Sequence, residues 1–115
     1  MNDIKNLITV DDIDKLDVRV GTIIDVTDIK ESNKLVSLTV DFGDFKRNIS
    51  VGFKTERENP SEVIGKQALF VVNLAPKKMA GVVSEGMIFD IGFSSGITPV
   101  LAIPEKNVPN GTKAG

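Results

Sequence analysis

The stretch VSLTVDFGDFKRNISVGF, residues 36–53, alternates apolar and polar side chains on both sides of Gly43 and Asp44. Val36, Leu38, Val40 and Phe42 share one face, and Ser37, Thr39 and Asp41 take the other. A period of two marks a half-buried strand. A Gly–Asp pair between two such runs is hairpin chemistry. The second arm repeats the pattern with Phe45, Ile49, Val51 and Phe53. Arg47 falls on that apolar face, which points to an edge position or a bulge.

On the N-terminal side, LDVRVGTIIDV (16–26) reads as a strand entering this hairpin, with Val18 and Val20 alternating against Asp17 and Arg19. Gly21 is expected to mark a bulge where it bends. The polar DIKESNK (28–34) is a connecting loop. After the hairpin, Asn59-Pro60-Ser61-Glu62 is a helix start, with Asn59 as N-cap and Pro60 at the first position. Gly65 ends that helix quickly. KQALFVVN (66–73) is a buried strand and GMIFDIGF (86–93) a fifth. TPVLAI (98–103) extends the fifth or pairs with it, and PEKNVPNGTKAG (104–115) is a turn-rich tail. Before the first strand, Asp11 to Leu16 suits a helical turn, with acids at its N-terminus. No repeat, low-complexity tract or linker interrupts the 115 residues, so 1–115 reads as a single domain.

The order is strand, strand, strand, short helix, strand, strand. It predicts an all-β, five-stranded OB-fold barrel with a short helix between strands 3 and 4 and short N- and C-terminal extensions. An SH3-like barrel is the alternative with the same pattern. The OB-fold uses the connections after strands 1 and 4 to hold oligonucleotides. Here those connections are 28–34 and 74–85.

Composition narrows the chemistry. There is no cysteine and no histidine. That removes thiolate and imidazole metal sites and the Cys–His and Ser–His nucleophile systems. No credible metal or acid–base pair is left, no cofactor is implied, and the chain does not read as an enzyme. The N-terminal MNDIKNLITVDDID lacks a signal-peptide pattern. No run approaches the ~18 apolar residues of a membrane span. A cytoplasmic protein is the expectation. Net charge is −2, with a balance of −3 in residues 1–17 and +1 over the other 98.

The connection after strand 4 carries the most specific pattern in the chain. NLAPKKMAGVVSEGM (73–87) meets N-L-x-P-x-K-M-x-G-x-x-S-x-G-M at Asn73, Leu74, Pro76, Lys78, Met79, Gly81, Ser84, Gly86 and Met87. With LDVRVGTIIDV and NKLVSLTVDFGDFKRNISVGF before it, the chain resembles the structure-nonspecific tRNA-binding domain over roughly residues 11–93. That domain occurs free-standing, at the end of methionyl-tRNA synthetases and in phenylalanyl-tRNA synthetase β chains. In length, in the lysine pair before Met79-Ala80-Gly81 and in the closing VPNGTKAG, the chain is also similar to CsaA-type export chaperones. Both groups are typically homodimers. The resemblance implies a tRNA-binding protein, with or without an aminoacyl-tRNA synthetase partner. The alternative is a chaperone for unfolded or precursor polypeptides. Where the tRNA-binding pattern has more basic residues or a glutamine, this chain has Ala75, Ala80 and Glu85.

The candidate RNA-binding residues follow from position and type. Lys77 and Lys78 are phosphate contacts or a solvated pair. Lys34, Lys46 and Arg47 lie at the other end of the predicted face, and Arg47 either pairs with phosphate or with Asp41 or Asp44. Asn73 and Ser84 meet a base edge, ribose or phosphate, or hold their own turns. Met79 and Met87 offer a soft apolar platform, or pack in the core. With six phenylalanines and no tyrosine or tryptophan, base stacking along a strand is not the expected mode. Reading RNA by shape and backbone fits better.

Overall fold

The computed structural model describes residues 3–115. The first strand, β1, runs Val18–Asp28 and is the longest element. It serves two partners in turn. Val18–Thr22 pair antiparallel with β4 (Gln67–Val71), while Thr22–Asp28 pair with β2 (Val36–Asp41). The register slips between Ile23 and Asp25, and that bulge turns the strand from one partner to the other. β3 (Lys46–Val51) pairs with β2 across the hairpin read from sequence. β4 then pairs with a two-residue strand further on, Met87–Ile88. Ser84 and Glu85, just before that strand, bond to the free edge of β3 and complete the OB-type barrel.

The interior is filled by the alternating residues. Leu38, Val40, Phe42, Ile49, Val51 and Phe53 are all buried, as are Ile23, Val63, Ala68 and Phe70. Phe42 sits at the centre, stacked on Phe45 at 5.2 Å and edge-on to Phe70 at 5.6 Å. Such ring pairs add to simple area burial.

Several expectations shift in detail. The bulge lies between Ile23 and Asp25, while Gly21 itself pairs regularly with Ala68. Glycine is needed there for room: a Cβ would lie 2.5 Å from Val40 Cγ1 and 2.8 Å from the Phe42 ring. Phe53 does not end a strand but opens a one-turn helix, Phe53–Glu56. The short helix between β3 and β4 is a 3₁₀ turn, Pro60–Val63, and the Asn59 side chain caps it by accepting from Ser61 N–H. The helical turn before β1 spans Val10–Ile13.

The largest departure is at the C-terminal end. The fifth barrel strand shrinks to Met87–Ile88, and the chain then turns through Gly92 at φ 109. Residues 98–103 return as a single bridge, Ile91 to Val100, and a bond from Leu69 N–H to Ala102 C=O. The final tail is not free turns. Lys113–Ala114 pair with Val18 and Arg19, and the Asn110 amide oxygen accepts from both Thr22 and Gln67. No helix among the described residues is long and apolar enough to cross a membrane.

Two outcomes test this packing. Gly21→Ala forces Val40 or Phe42 to move, and urea unfolding should show a destabilisation of about 2 kcal/mol. Glu56 has its pKa raised, chiefly by burial and then by repulsion from Asp90. A carboxyl raised by folding destabilises the fold above its folded pKa, and that penalty disappears as pH falls below the unfolded value. Glu56→Gln should therefore raise the thermal midpoint at pH 7, with the gain vanishing below about pH 4.

Candidate nucleic-acid interface

The connection 74–85 is not an irregular loop. It folds as a β-hairpin of its own, β5 (Lys77–Met79) against β6 (Val82–Ser84). The following barrel strand, Met87–Ile88, is β7. Ala80 and Gly81 make the two-residue turn with φ of 50 and 81. Two positive φ values in a two-residue hairpin turn match the twist of the flanking strands. The cost at Ala80 is of the order of 1 kcal/mol.

The hairpin changes how the lysine pair must be read. Neighbours in a strand point to opposite faces. Lys77 shares a face with Met79 and their cross-strand partners Ser84 and Val82, while Lys78 stands beside Val83 on the other. Both lysines are exposed.

The signature residues after the hairpin close the barrel. The Ser84 hydroxyl accepts from Ser50 N–H at 3.0 Å and donates to Gly86 C=O at 3.1 Å. Ser84 is 4% exposed, so its hydroxyl is spent inside the fold. Glu85 N–H donates to Asn48 C=O at 2.8 Å, and Asn48 N–H donates back to the Glu85 carboxylate at 2.9 Å. The acid is therefore a cap on the β3 edge as well as a negative charge. Arg47 Nη1 donates to Glu85 C=O at 2.8 Å and Val72 C=O at 3.2 Å. Its guanidinium also lies over the Phe45 ring at 4.9 Å. Among the described residues, neither Asp41 nor Asp44 forms an ion pair with it. At Gly86, a Cβ would sit 2.8 Å from Val71 C=O. Only glycine lets the seam approach so closely.

Asn73 holds a distant segment. Its side-chain oxygen accepts from Asp17 N–H at 2.8 Å, and its Nδ2 donates to Lys15 C=O at 2.6 Å. Both amide ends are thus engaged by the backbone entering β1. Asp17 is itself paired with Arg19 at 2.8 Å, which lowers its pKa.

The remaining candidates face outward. Lys34, Lys46, Lys77 and Lys78 are exposed, and none has an ion-pair partner among the described residues. They do not form one cluster. Lys34 precedes β2, whose Val36 pairs with Val51 at one end of β3, and Lys46 lies at the other end. At about 3.3 Å per residue those two ends are roughly 16 Å apart. Met79 is half-buried beside the turn. Met87 is 49% exposed and pairs with Val71 at the barrel edge, not in the core. Among the described residues no group of three or more His, Cys, Asp or Glu is arranged to hold a metal.

Two further residues support the site without any sign of it in the sequence. Asn48, near Lys46, carries the edge bonds to Glu85. Lys54 holds the β1–β2 connection. No periodicity or motif marks either, because their partners are distant in the chain.

Residues 18–113 match the family described as "Putative tRNA binding domain". The chain belongs to this tRNA-binding domain family. It is 45% identical over 109 residues to the methionine–tRNA ligase of Methanococcoides burtonii, and the match covers 94% of the chain and 16% of the ligase. The chain therefore spans only a small part of such relatives. The structure of a MetRS-related protein from Pyrococcus horikoshii is similar at TM-score 0.87 and 36% identity, covering 96% of this chain and 100% of that one. The chaperone CsaA from Bacillus anthracis is similar at TM-score 0.82 and 32% identity, covering 96% and 100%. The tRNA-binding domain signature read at 73–87 thus lies on the hairpin and on the seam that anchors it.

The seam and the clamp have measurable weight. Ser84→Ala leaves Ser50 N–H without its partner and should cost about 1–2 kcal/mol in urea unfolding. Asn73→Ala should cost about 1 kcal/mol and speed amide exchange at Asp17, with β2 and β3 amides unchanged.

Proposed function

We propose that residues 1–115 form one non-catalytic, cytoplasmic tRNA-binding unit that reads RNA by backbone and shape. The observation that carries this reading is the hairpin. It presents Lys77 and Lys78, both without ion-pair partners among the described residues, on a support pinned to the barrel by Ser84 and Glu85. Family membership supplies the ligand class.

The roles divide by which atoms remain available. Lys34, Lys46, Lys77 and Lys78 contact phosphates, each as a mobile point charge. Met79 and Met87 give apolar contact beside the hairpin and the edge strand. Arg47, Asn73 and Ser84 act by position: they hold the seam and the N-terminal segment that frame the site. A methionyl-tRNA synthetase, or another synthetase, is a fitting partner, since the similar ligases carry this domain as a small part of a longer chain.

A homodimer belongs to the same proposal. Phe89, Ile91, Phe93, Ile97, Val100 and Ile103 are exposed, Phe93 to 71%. Leu7, ahead of β1, is 95% exposed. Apolar surface on this scale favours burial against a second copy. Two copies double the cations and link two weak binding sites.

The second reading is peptide binding in the manner of a chaperone. Its support is the likeness to CsaA structures and the exposed Leu74 and Val83 near the lysines.

Titration with bulk tRNA and with an unfolded polypeptide, each at two salt concentrations, separates the two. Low-salt tRNA binding should fall steeply with salt. Lys77→Ala/Lys78→Ala should flatten the log–log slope by about 0.7–0.9 for each phosphate that is no longer neutralised. Salt-insensitive polypeptide binding without tRNA binding would overturn the tRNA reading. Sedimentation at micromolar concentration should give twice the 12.4 kDa chain mass, and a monomer would remove the dimer.

A further inference from the structure

The connection between β1 and β2 is polar and mostly exposed, yet it is tightly held. Ser32 N–H donates to Ile29 C=O at 3.0 Å, and the Ser32 hydroxyl accepts from Lys34 N–H at 3.1 Å and Leu35 N–H at 2.9 Å. Against it stands Lys54, the second residue of the one-turn helix Phe53–Glu56. Its ammonium donates to Ile29 C=O at 2.9 Å and Ser32 C=O at 2.7 Å, and it pairs with the Asp28 carboxylate. Two of the ammonium's three donors are thus spent on carbonyls of this connection, and its charge is paired at the end of β1. The Lys54 backbone N–H adds a third bond to the connection, to Lys34 C=O at 3.1 Å.

The result is a loop folded around an internal cation. Both backbone groups of Lys34 are fixed, its N–H by Ser32 and its C=O by Lys54, while its side chain is exposed and has no ion-pair partner among the described residues. Fixing the backbone beneath a binding side chain lowers the ordering cost of binding. We infer that Lys54 is a positioning residue for RNA: it sets the β1–β2 connection so that Lys34 meets a phosphate. This inference rests on the tRNA-binding reading of the same surface.

Asp28→Asn discriminates, because charge and position predict opposite signs. Removing a negative charge from a surface that meets RNA should tighten binding if only net charge matters. If Lys54 positions the loop, breaking its ion pair should instead weaken tRNA binding several-fold. Hydrogen exchange on the full chain should show faster exchange at Ser32, Lys34 and Leu35, with β2 and β4 amides unchanged. Lys54→Met should act in the same sense and more strongly. Combined with Lys34→Ala it should bind no more weakly than the worse single variant, since both remove the same phosphate interaction. Lys54→Arg, which keeps the charge and donors, should recover part of the affinity.

Tighter tRNA binding by Asp28→Asn, or full additivity of Lys54→Met with Lys34→Ala, would overturn the inference while leaving tRNA binding intact. Should Lys54→Met fail to fold, Asp28→Asn still decides. A wild-type chain with no low-salt tRNA affinity would overturn the function itself, and the wild-type titration shows that separately.

Discussion

The structure depends on how the open edge of β3 is closed. A strand edge with unpaired amides must find partners or present them to other chains. Here the edge is met by Ser84 and Glu85, not by a full strand. Asn48 exchanges two hydrogen bonds with Glu85, Ser50 N–H reaches the Ser84 hydroxyl, and Arg47 ties the Glu85 and Val72 carbonyls together. Side chains do what a regular ladder would otherwise do. Because the closing segment is also the base of the β5–β6 hairpin, barrel closure and hairpin placement are one event.

That coupling gives the signature 73–87 a physical meaning. Its members divide between holding the support and facing solvent. Asn73 ties the strand end to the segment before β1, Ser84 and Gly86 make the seam, and Gly81 permits the turn. Lys78 is left exposed at the surface. A pattern dense in specific residues is thus mostly a pattern of scaffold, with few atoms free for a ligand. This fits a binding domain with so little positive charge: a few cations on a rigid support lose less entropy on binding than many on mobile loops.

The other OB-type connection follows the same logic by different means. Lys54 replaces a mobile loop with one folded about an ammonium, and Lys34 is carried on it. The two connections flank β3 at the same end: Val36, just after Lys34, pairs with Val51, and Ser84 at the base of the hairpin accepts from Ser50 N–H. A folded RNA backbone can meet both without base-specific reading.

The barrel was legible in the sequence. Alternation over 36–53 sets the core face, the N-cap at Asn59 sets the short helix, and the fold class follows from element order, because these rest on local periodicity and turn chemistry. The signature at 73–87 likewise identified the family, since its spacing is written in neighbouring residues. Which polar side chains remain available emerged only once the chain was folded. Asn73 reaches Lys15 and Asp17, Arg47 reaches Val72 and Glu85, and Lys54 reaches Asp28, Ile29 and Ser32. Those partners lie between 22 and 58 residues away. No local pattern encodes such distances, because each bond exists only after the barrel has brought the two segments together.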